Sequence, residues 1–493
     1  MTAGTMPAGD YGLLRHGSEY IASLAGDGRR VWIRGERVED VTRSPTLGPG
    51  ITMMAGMLDD QFNPGLTDIL TYSDGDAGSR LSRAWQAPAT IRELQDRRRL
   101  VHYTTMRSVG TFGRPLDLAP LIAVGLVAHK AAFRKSKPEF ARNSPDFADN
   151  IDAYVGYGRR RGIIAAEVLA EPQNDRSRPV AEGPGLLRVV GQEASGVRVS
   201  GAKSVGSVAA QADEIIFTNL KMPDYPPEAC IWAALPVATE GITLVCREGT
   251  SRPGADPFDH PIAHRGEESD QLIVFDNVLI PNDRVFNVGD PALLDLYGPV
   301  TVWAHWHILA RMAVKAEIFV GAAQLVIDMI GTSGVPAVRG MAGDLMQYAQ
   351  ALRAFVVAAE QSAVMTEGGV LAPDVNMLTA GRLYAIEHYP RIVHTLQEVC
   401  GQGLVMRFSR ADFDHPEIGA YLERLLPGHH VTARAKNHLM NFIWDLTTDS
   451  HAGRVELFEN VNGAPPAALR ERLYREYPKD RVTAMVRGLL GAG

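Results

Sequence analysis

The chain has 493 residues, 45% hydrophobic and 22% charged, the balance of a globular protein with a sizeable core. A formal net charge of −7 carries no electrostatic footprint for nucleic acid or an anionic membrane surface, so neither is an expected partner. Three cysteines, Cys230, Cys246 and Cys400, are too few and too scattered for a disulfide framework or a metal cluster, so reduced thiols in a cytoplasmic protein are expected.

The first residues lack a basic segment followed by an apolar one, so no signal peptide is read. The most apolar run, Ile318 to Ile330, is shorter than the roughly 20 residues a bilayer requires and contains Gln324 and Asp328. From Gly17, G-S-E-Y-I-A-S-L reads as a helix with Ser18 as N-cap. Val31 to Val38 reads as a hairpin turning at Gly35. Thr42 to about Asp149 is mainly helical, broken at Pro45, Pro64, Pro88 and Pro115. Within it, I-R-E-L-Q-D-R-R-R-L-V-H-Y-T-T-M-R places Leu94, Leu100 and Val101 on one face and Arg92, Arg97 and Arg98 away from it. Asn150 to Leu169 reads as a further helix, which puts Glu167 near its end.

After Pro172 the period changes from 3.6 to 2. Six short apolar or β-branched runs, at Leu186–Val190, Val197–Ser200, Glu214–Thr218, Ile231–Val237, Ile242–Cys246 and Leu272–Val278, predict an antiparallel β domain of about 100 residues. Helical periodicity returns beyond Pro281. His305 to Ile330 is apolar nearly all round, with Arg311 and Lys315 one turn apart, as in a buried bundle helix. Gly340–Thr366, Asn376–Cys400, Ala433–Thr448 and Pro466–Leu489 follow, with Pro390 expected to kink or end its helix. The predicted domains are residues 1–170 (helical, with a small hairpin), 171–285 (β) and 286–493 (helical bundle), an α+β fold.

The stretch from Glu167 to Ser207 draws attention because small polar residues, Pro172-Gln173-Asn174-Asp175-Arg176-Ser177, separate a predicted helix from the β segment. Amides and short side chains there can hold a polar cofactor. A turn with an Asp175–Arg176 ion pair fits the same residues.

Several segments together resemble the 4-hydroxyphenylacetate 3-monooxygenase family, the large oxygenase component of two-component flavin systems. They are G-S-E-Y-I-A-S-L and G-E-R-V-E-D-V-T between Gly17 and Thr42, P-Q-N-D-R-S from Pro172, S-G-A-K-S-V-G-S from Ser200 and F-D-N-V-L-I-P from Phe275. W-D-L-T-T-D-S-H-A-G-R-V-E-L-F-E from Trp444 completes a match spread over roughly residues 17 to 465. The resemblance implies the acyl-CoA dehydrogenase fold and a homotetramer. It also implies an enzyme that takes reduced FAD (FADH2) from a separate NAD(P)H-flavin reductase and reacts it with O2 to a C4a-hydroperoxyflavin. One oxygen atom then goes to a small aromatic substrate. No G-x-G-x-x-G follows a strand, which suits a protein that borrows reduced flavin.

Carried over residue by residue, the flavin contacts are Gln173, Asn174, Asp175, Arg176 and Ser207, with Gly453 and Arg454 reaching the cofactor of this or a neighbouring subunit. Helix capping is the other reading of Gly453 and Arg454. The substrate end departs from the pattern. Glu167 stands eight residues before Asp175, where the family typically has a histidine on the substrate hydroxyl. A carboxylate can accept that proton or bind a substrate ammonium or ring NH. The family's arginine and tyrosine, aligned on Gly113-Arg114, fall on Met106 and Val109; Tyr103 and Arg107, four apart on one helix face, are the substitutes offered. His260, His264 and Arg265 are weaker candidates for the pocket wall, and His429-His430 lacks further ligands at metal spacing. A radical acyl-CoA dehydratase on the same fold needs cluster thiolates that the three cysteines are not placed to supply. A catalytically silent flavin-binding protein is the remaining alternative.

Overall fold

The computed structural model describes residues 13–73, 79–135, 140, 145–175, 177–179, 182–220, 225–461 and 464–490. Helices Gly17–Leu24, Gly48–Asp59, Ile91–Arg107, Pro120–Ala128 and Phe147–Arg161 belong to the N-terminal part of the chain. Ten further helices among the described residues, from Val302–Ile330 and Pro336–Gln361 to Pro466–Glu476 and Lys479–Leu489, form the C-terminal block.

Ahead of the bundle the described strands are β1 (Arg30–Ile33), β2 (Glu36–Val38), β3 (Thr71–Ser73), β4 (Arg80–Ser82), β5 (Ala165–Val168), β6 (Arg188–Glu193), β7 (Gly196–Lys203), β8 (Glu214–Thr218), β9 (Ile231–Pro236), β10 (Ile242–Cys246), β11 (Gln271–Pro281) and β12 (Val285–Val288). One sheet runs β2-β1-β10-β11-β7-β6 and a second β12-β9-β8-β5. All six predicted runs are strands, but the sheets are mixed. Strand β1 lies parallel to β10 and β5 parallel to β8, because both arrive from the helical domain rather than through a hairpin. The β1–β2 hairpin, with Arg34 and Gly35 both at positive φ as a tight primed turn requires, thereby joins the central sheet.

The helix before the site is shorter than expected. Gly162 adopts the left-handed conformation (φ 62°, ψ 43°) and caps Phe147–Arg161, freeing the β-branched segment after it to pair. Glu167 is therefore a strand residue opposite Ile216, not a helical one. The first helix is N-capped by His16 rather than Ser18. Arg97 is buried, its guanidinium donating to the carbonyls of Arg83, Ala84 and Gln86. Helix Val375–Cys400 continues through Pro390, held by the buried Ile386, Tyr389, Ile392 and Val393 on both sides of the missing N–H. Pro478 splits the last predicted helix into two.

One core joins the early helices to both sheets, and a second fills the bundle around Val302–Ile330. Arg311 and Lys315 are buried in that helix with Glu459 as their shared partner; its carboxylate accepts from Arg311 at 2.5 and 2.6 Å and from Lys315 at 3.4 Å. This triad pins Ser450–Val461 against the bundle and so fixes the wall of the site.

Candidate active site

A cavity of about 220 Å3 lies where the sheets meet the bundle. Strand β5 contributes Glu167, and the turn after β7 contributes Ser204 and Ser207. That turn holds Val205 and Val208 at φ 54° and 61°, a left-handed conformation that β-branched residues rarely adopt. Tyr297 enters from the short helix Tyr297–Val300, Thr301, Ala304, His305 and Ile308 from the start of the long bundle helix, and Phe458 and Val461 from Ser450–Val461. Leu169, Leu220, Ile308 and Phe458 make the walls apolar.

Arg114 is the cavity's cation. Its Nε lies 2.6 Å from Glu167 Oε1, and its guanidinium sits over the Phe458 ring at 5.1 Å. The main chain behind it is clamped by the fully buried Glu268, which accepts from the N–H groups of Gly113 (2.8 Å) and Arg114 (2.6 Å). Gly113 is required here, since a Cβ would stand 2.0 Å from the Phe458 ring. Glu268 also accepts from Arg454 at 2.6 Å, and Arg454 makes two further contacts to Asp270. Burial alone would raise the Asp270 carboxyl, but Arg454 and then Arg247 hold it below the usual carboxylate range. Ser207 donates to the same carboxylate at 2.6 Å.

Two titratable groups on the wall are driven to their uncharged forms. Burial first, then Arg382, Arg472 and Arg114, push His305 well below the ordinary imidazole value, so it is a neutral acceptor at pH 7. Burial and then Glu167 raise the Tyr297 phenol, which stays a donor.

The structure unites some of the sequence candidates and separates others. Glu167 and Ser207 line one cavity. Gln173, Asn174 and Asp175 are exposed beyond its rim, where Ala170 lies; Asp175 accepts from the Ser177 amide and hydroxyl. Arg176 lies outside the described residues, so the expected Asp175–Arg176 pair does too. Arg454 is spent on Glu268 and Asp270, and Gly453 is exposed, its N–H donating to the Asp449 carbonyl. Tyr103 and Arg107 are not on the cavity wall: both reach Asp60, on the face towards the helix Gly48–Asp59. His260 pairs with Asp445 at 3.0 Å, while His264 and Arg265 bond to carbonyls of their own turn. Among the described residues, His260, Asp445 and Asp449 could surround a metal, but Arg252 already meets Asp449 and two amides meet Asp445.

No local motif marks Arg114, Tyr297, Thr301 and His305 as site residues. The spacing Thr301, Ala304, His305, Ile308 is one helix face, a legible signal that only a known cavity gives a meaning. Glu268 and Asp270 were missed because an acidic cluster reads as solvated surface until its arginines are found.

The Ser204 and Ser207 hydroxyls can meet the polar edge of a flavin at this cavity, and its apolar walls suit an aromatic ring. At about 220 Å3 the cavity has room for one ring system, below the roughly 300–1,000 Å3 of a site that encloses a whole ligand.

Two family models cover nearly the whole chain: the N-terminal model of 4-hydroxyphenylacetate 3-hydroxylase matches residues 16–287, and the C-terminal model residues 297–491. The chain is 32% identical over 488 residues to the oxygenase component of 4-nitrophenol 4-monooxygenase/4-nitrocatechol 2-monooxygenase of Rhodococcus opacus, covering 97% of this chain and 92% of that protein. It is 32% identical to 2,4,6-trichlorophenol monooxygenase of Cupriavidus pinatubonensis, covering 93% of this chain and 88% of that protein. It superposes with a TM-score of 0.88, at 30% identity over 97% of this chain and 98% of the other, on the crystal structure of the 4-hydroxyphenylacetate 3-monooxygenase oxygenase component in complex with FAD and 4-hydroxyphenylacetate. The expected acyl-CoA dehydrogenase-like order of helices, sheets and bundle is thus present. The chain belongs to the 4-hydroxyphenylacetate 3-hydroxylase family, the large oxygenase components of two-component, FADH2-dependent aromatic monooxygenases.

Proposed function

We propose that this protein hydroxylates a phenolic or amino-aromatic ring held in the cavity between Arg114, Glu167, Tyr297 and His305. The reading rests chiefly on the convergence of a buried carboxylate and a neutral imidazole beside Ser207, together with relatives that act on 4-nitrophenol and 2,4,6-trichlorophenol. Reduced FAD, supplied by a separate flavin reductase, provides with O2 the oxygen atom that enters the ring, the other leaving as water. Ser207, Gln173, Asn174, Asp175, Arg176, Gly453 and Arg454 are the residues assigned to hold it, Arg454 by fixing Asp270 rather than by free reach.

The protein's own work is proton management and exclusion of water. His305, uncharged at pH 7, accepts a hydrogen bond from a ring hydroxyl or amine. Tyr297 donates one to the same group, and Glu167, tied to Arg114, stands beside it. Leu169, Leu220, Ile308 and Phe458 keep water from the reacting edge. Tyr103 and Arg107, both on Asp60, stand off the cavity wall and take no part in this step. We also propose a homotetramer: Leu325, Ile330, Met346 and Val357 leave apolar surface on the bundle. Buried free thiols at Cys230, Cys246 and Cys400 suit the reducing cytoplasm.

The test is single turnover of the full chain with chemically reduced FAD, O2 and a panel of phenols and anilines. Incorporation of one labelled oxygen atom into the ring is the expected result. Hydrogen peroxide as sole product across the panel would favour a silent flavin-binding protein.

A further inference from the structure

The described residues lining the cavity include one charged cation, and it is committed. Arg114 and Glu167 face each other at 2.6 Å with side chains only 13% and 7% exposed. The other titratable groups there, His305 and Tyr297, carry no charge at pH 7. A ring bearing a carboxylate would enter beside the Glu167 carboxylate with its natural counter-ion already engaged. Like charges in a water-poor site repel strongly. An uncharged ring meets only hydrogen-bonding groups and the apolar walls.

We propose that Glu167 is a specificity-determining charge filter: by engaging Arg114 it restricts the cavity to aromatic substrates without a ring-borne carboxylate. The proposal rests on the cavity being the ring-binding site. Removing the negative charge keeps Arg114 on Phe458 and on its clamped main chain and takes away the repulsion that a carboxylate on the ring meets.

The matched probes are 4-hydroxyphenylacetate and 4-hydroxyphenylacetamide, which share a ring and nearly a shape and differ in charge. Each is titrated calorimetrically into the full chain as wild type, Glu167→Gln, Glu167→Asp and Arg114→Gln. The wild type should bind the amide at least about tenfold more tightly. Glu167→Gln should narrow the gap to about threefold or reverse it, Glu167→Asp should retain it, and Arg114→Gln should widen it. Arg114→Gln keeps the proposal testable if Glu167→Gln fails to fold. Equal wild-type affinities, or a ratio unmoved in Glu167→Gln, overturn it. Binding does not require turnover, so preference for the amide with no oxygenation of either compound rejects the monooxygenase assignment and leaves the filter. Oxygenation of both with equal kcat/KM does the reverse, and binding of neither overturns both.

Discussion

Glu268 and Arg454 meet at 2.6 Å in the protein interior, and through them the loop carrying Arg114 is bolted to the helix carrying Phe458. Glu268 is fully buried, and Arg454 contacts Asp270 as well. Removing Glu268 takes one of two carboxylates from the buried Arg454 and leaves the Gly113 and Arg114 amides without their acceptor.

Glu268→Ala should therefore destabilise the fold by about 3–5 kcal/mol, the usual cost of breaking a buried pair. Denaturant unfolding measures it. The surviving folded fraction should also bind flavin and phenol more weakly, because Gly113 and Arg114 lose their amide acceptor.

His305→Gln should lower kcat by roughly 10²-fold or more while leaving flavin affinity nearly unchanged. Because His305 is held well below 6.5, the wild-type rate should not fall as pH drops from 8 to 6 through this residue. The same depression has a sign for stability. The unfolded chain protonates this histidine first, so its contribution is complete above 6.5 and is lost as pH falls below that value. Rate and unfolding profiles of wild type and variant check both.

Glu459 sets a second pH response. Burial would raise it, but Arg311 and then Lys315 pull it down to about 2. A depressed carboxylate contributes stability above its unfolded value of 4.5 and loses it as pH falls towards about 2. Glu459→Gln should flatten the acid limb of the unfolding curve. It should also destabilise at pH 7, where Arg311 and Lys315 lose their shared partner.

Surface and buried parts of the flavin assignment separate cleanly. Gln173→Ala and Asp175→Ala alter exposed side chains and should change stability by no more than about 0.5 kcal/mol, while weakening FAD binding several-fold. Ser207→Ala removes a buried donor to Asp270 and should cost about 1 kcal/mol of stability in addition to flavin affinity. Equal FAD dissociation constants for wild type and all three variants would dismiss these residues as flavin contacts.

Much of the fold was legible because periodicity is local. The change from period 3.6 to 2 after Pro172 and back beyond Pro281 depends on residues within a few positions of one another, and it located all six predicted strands. The motifs beginning at Gly17, Pro172, Ser200, Phe275 and Trp444 likewise sufficed to place the chain in its family. Where local reading failed, a longer-range force had prevailed. Pro390 stays helical under packing from both sides, Arg97 is buried on three carbonyls, and β1 and β5 pair in parallel with strands far along the chain.

The site divides the same way. Glu167 and Ser207 could be picked out because each stands at a fixed offset within a motif. That Glu167 would find Arg114, that Glu268 would hold the amide of Gly113 across 155 residues, and that burial, then Arg382 and Arg472, would strip His305 of its charge were decided by tertiary structure. Sequence specifies which groups are present and their local geometry. Charge pairing and desolvation depend on distances through space, and those exist only once the sheets and the bundle have closed on each other.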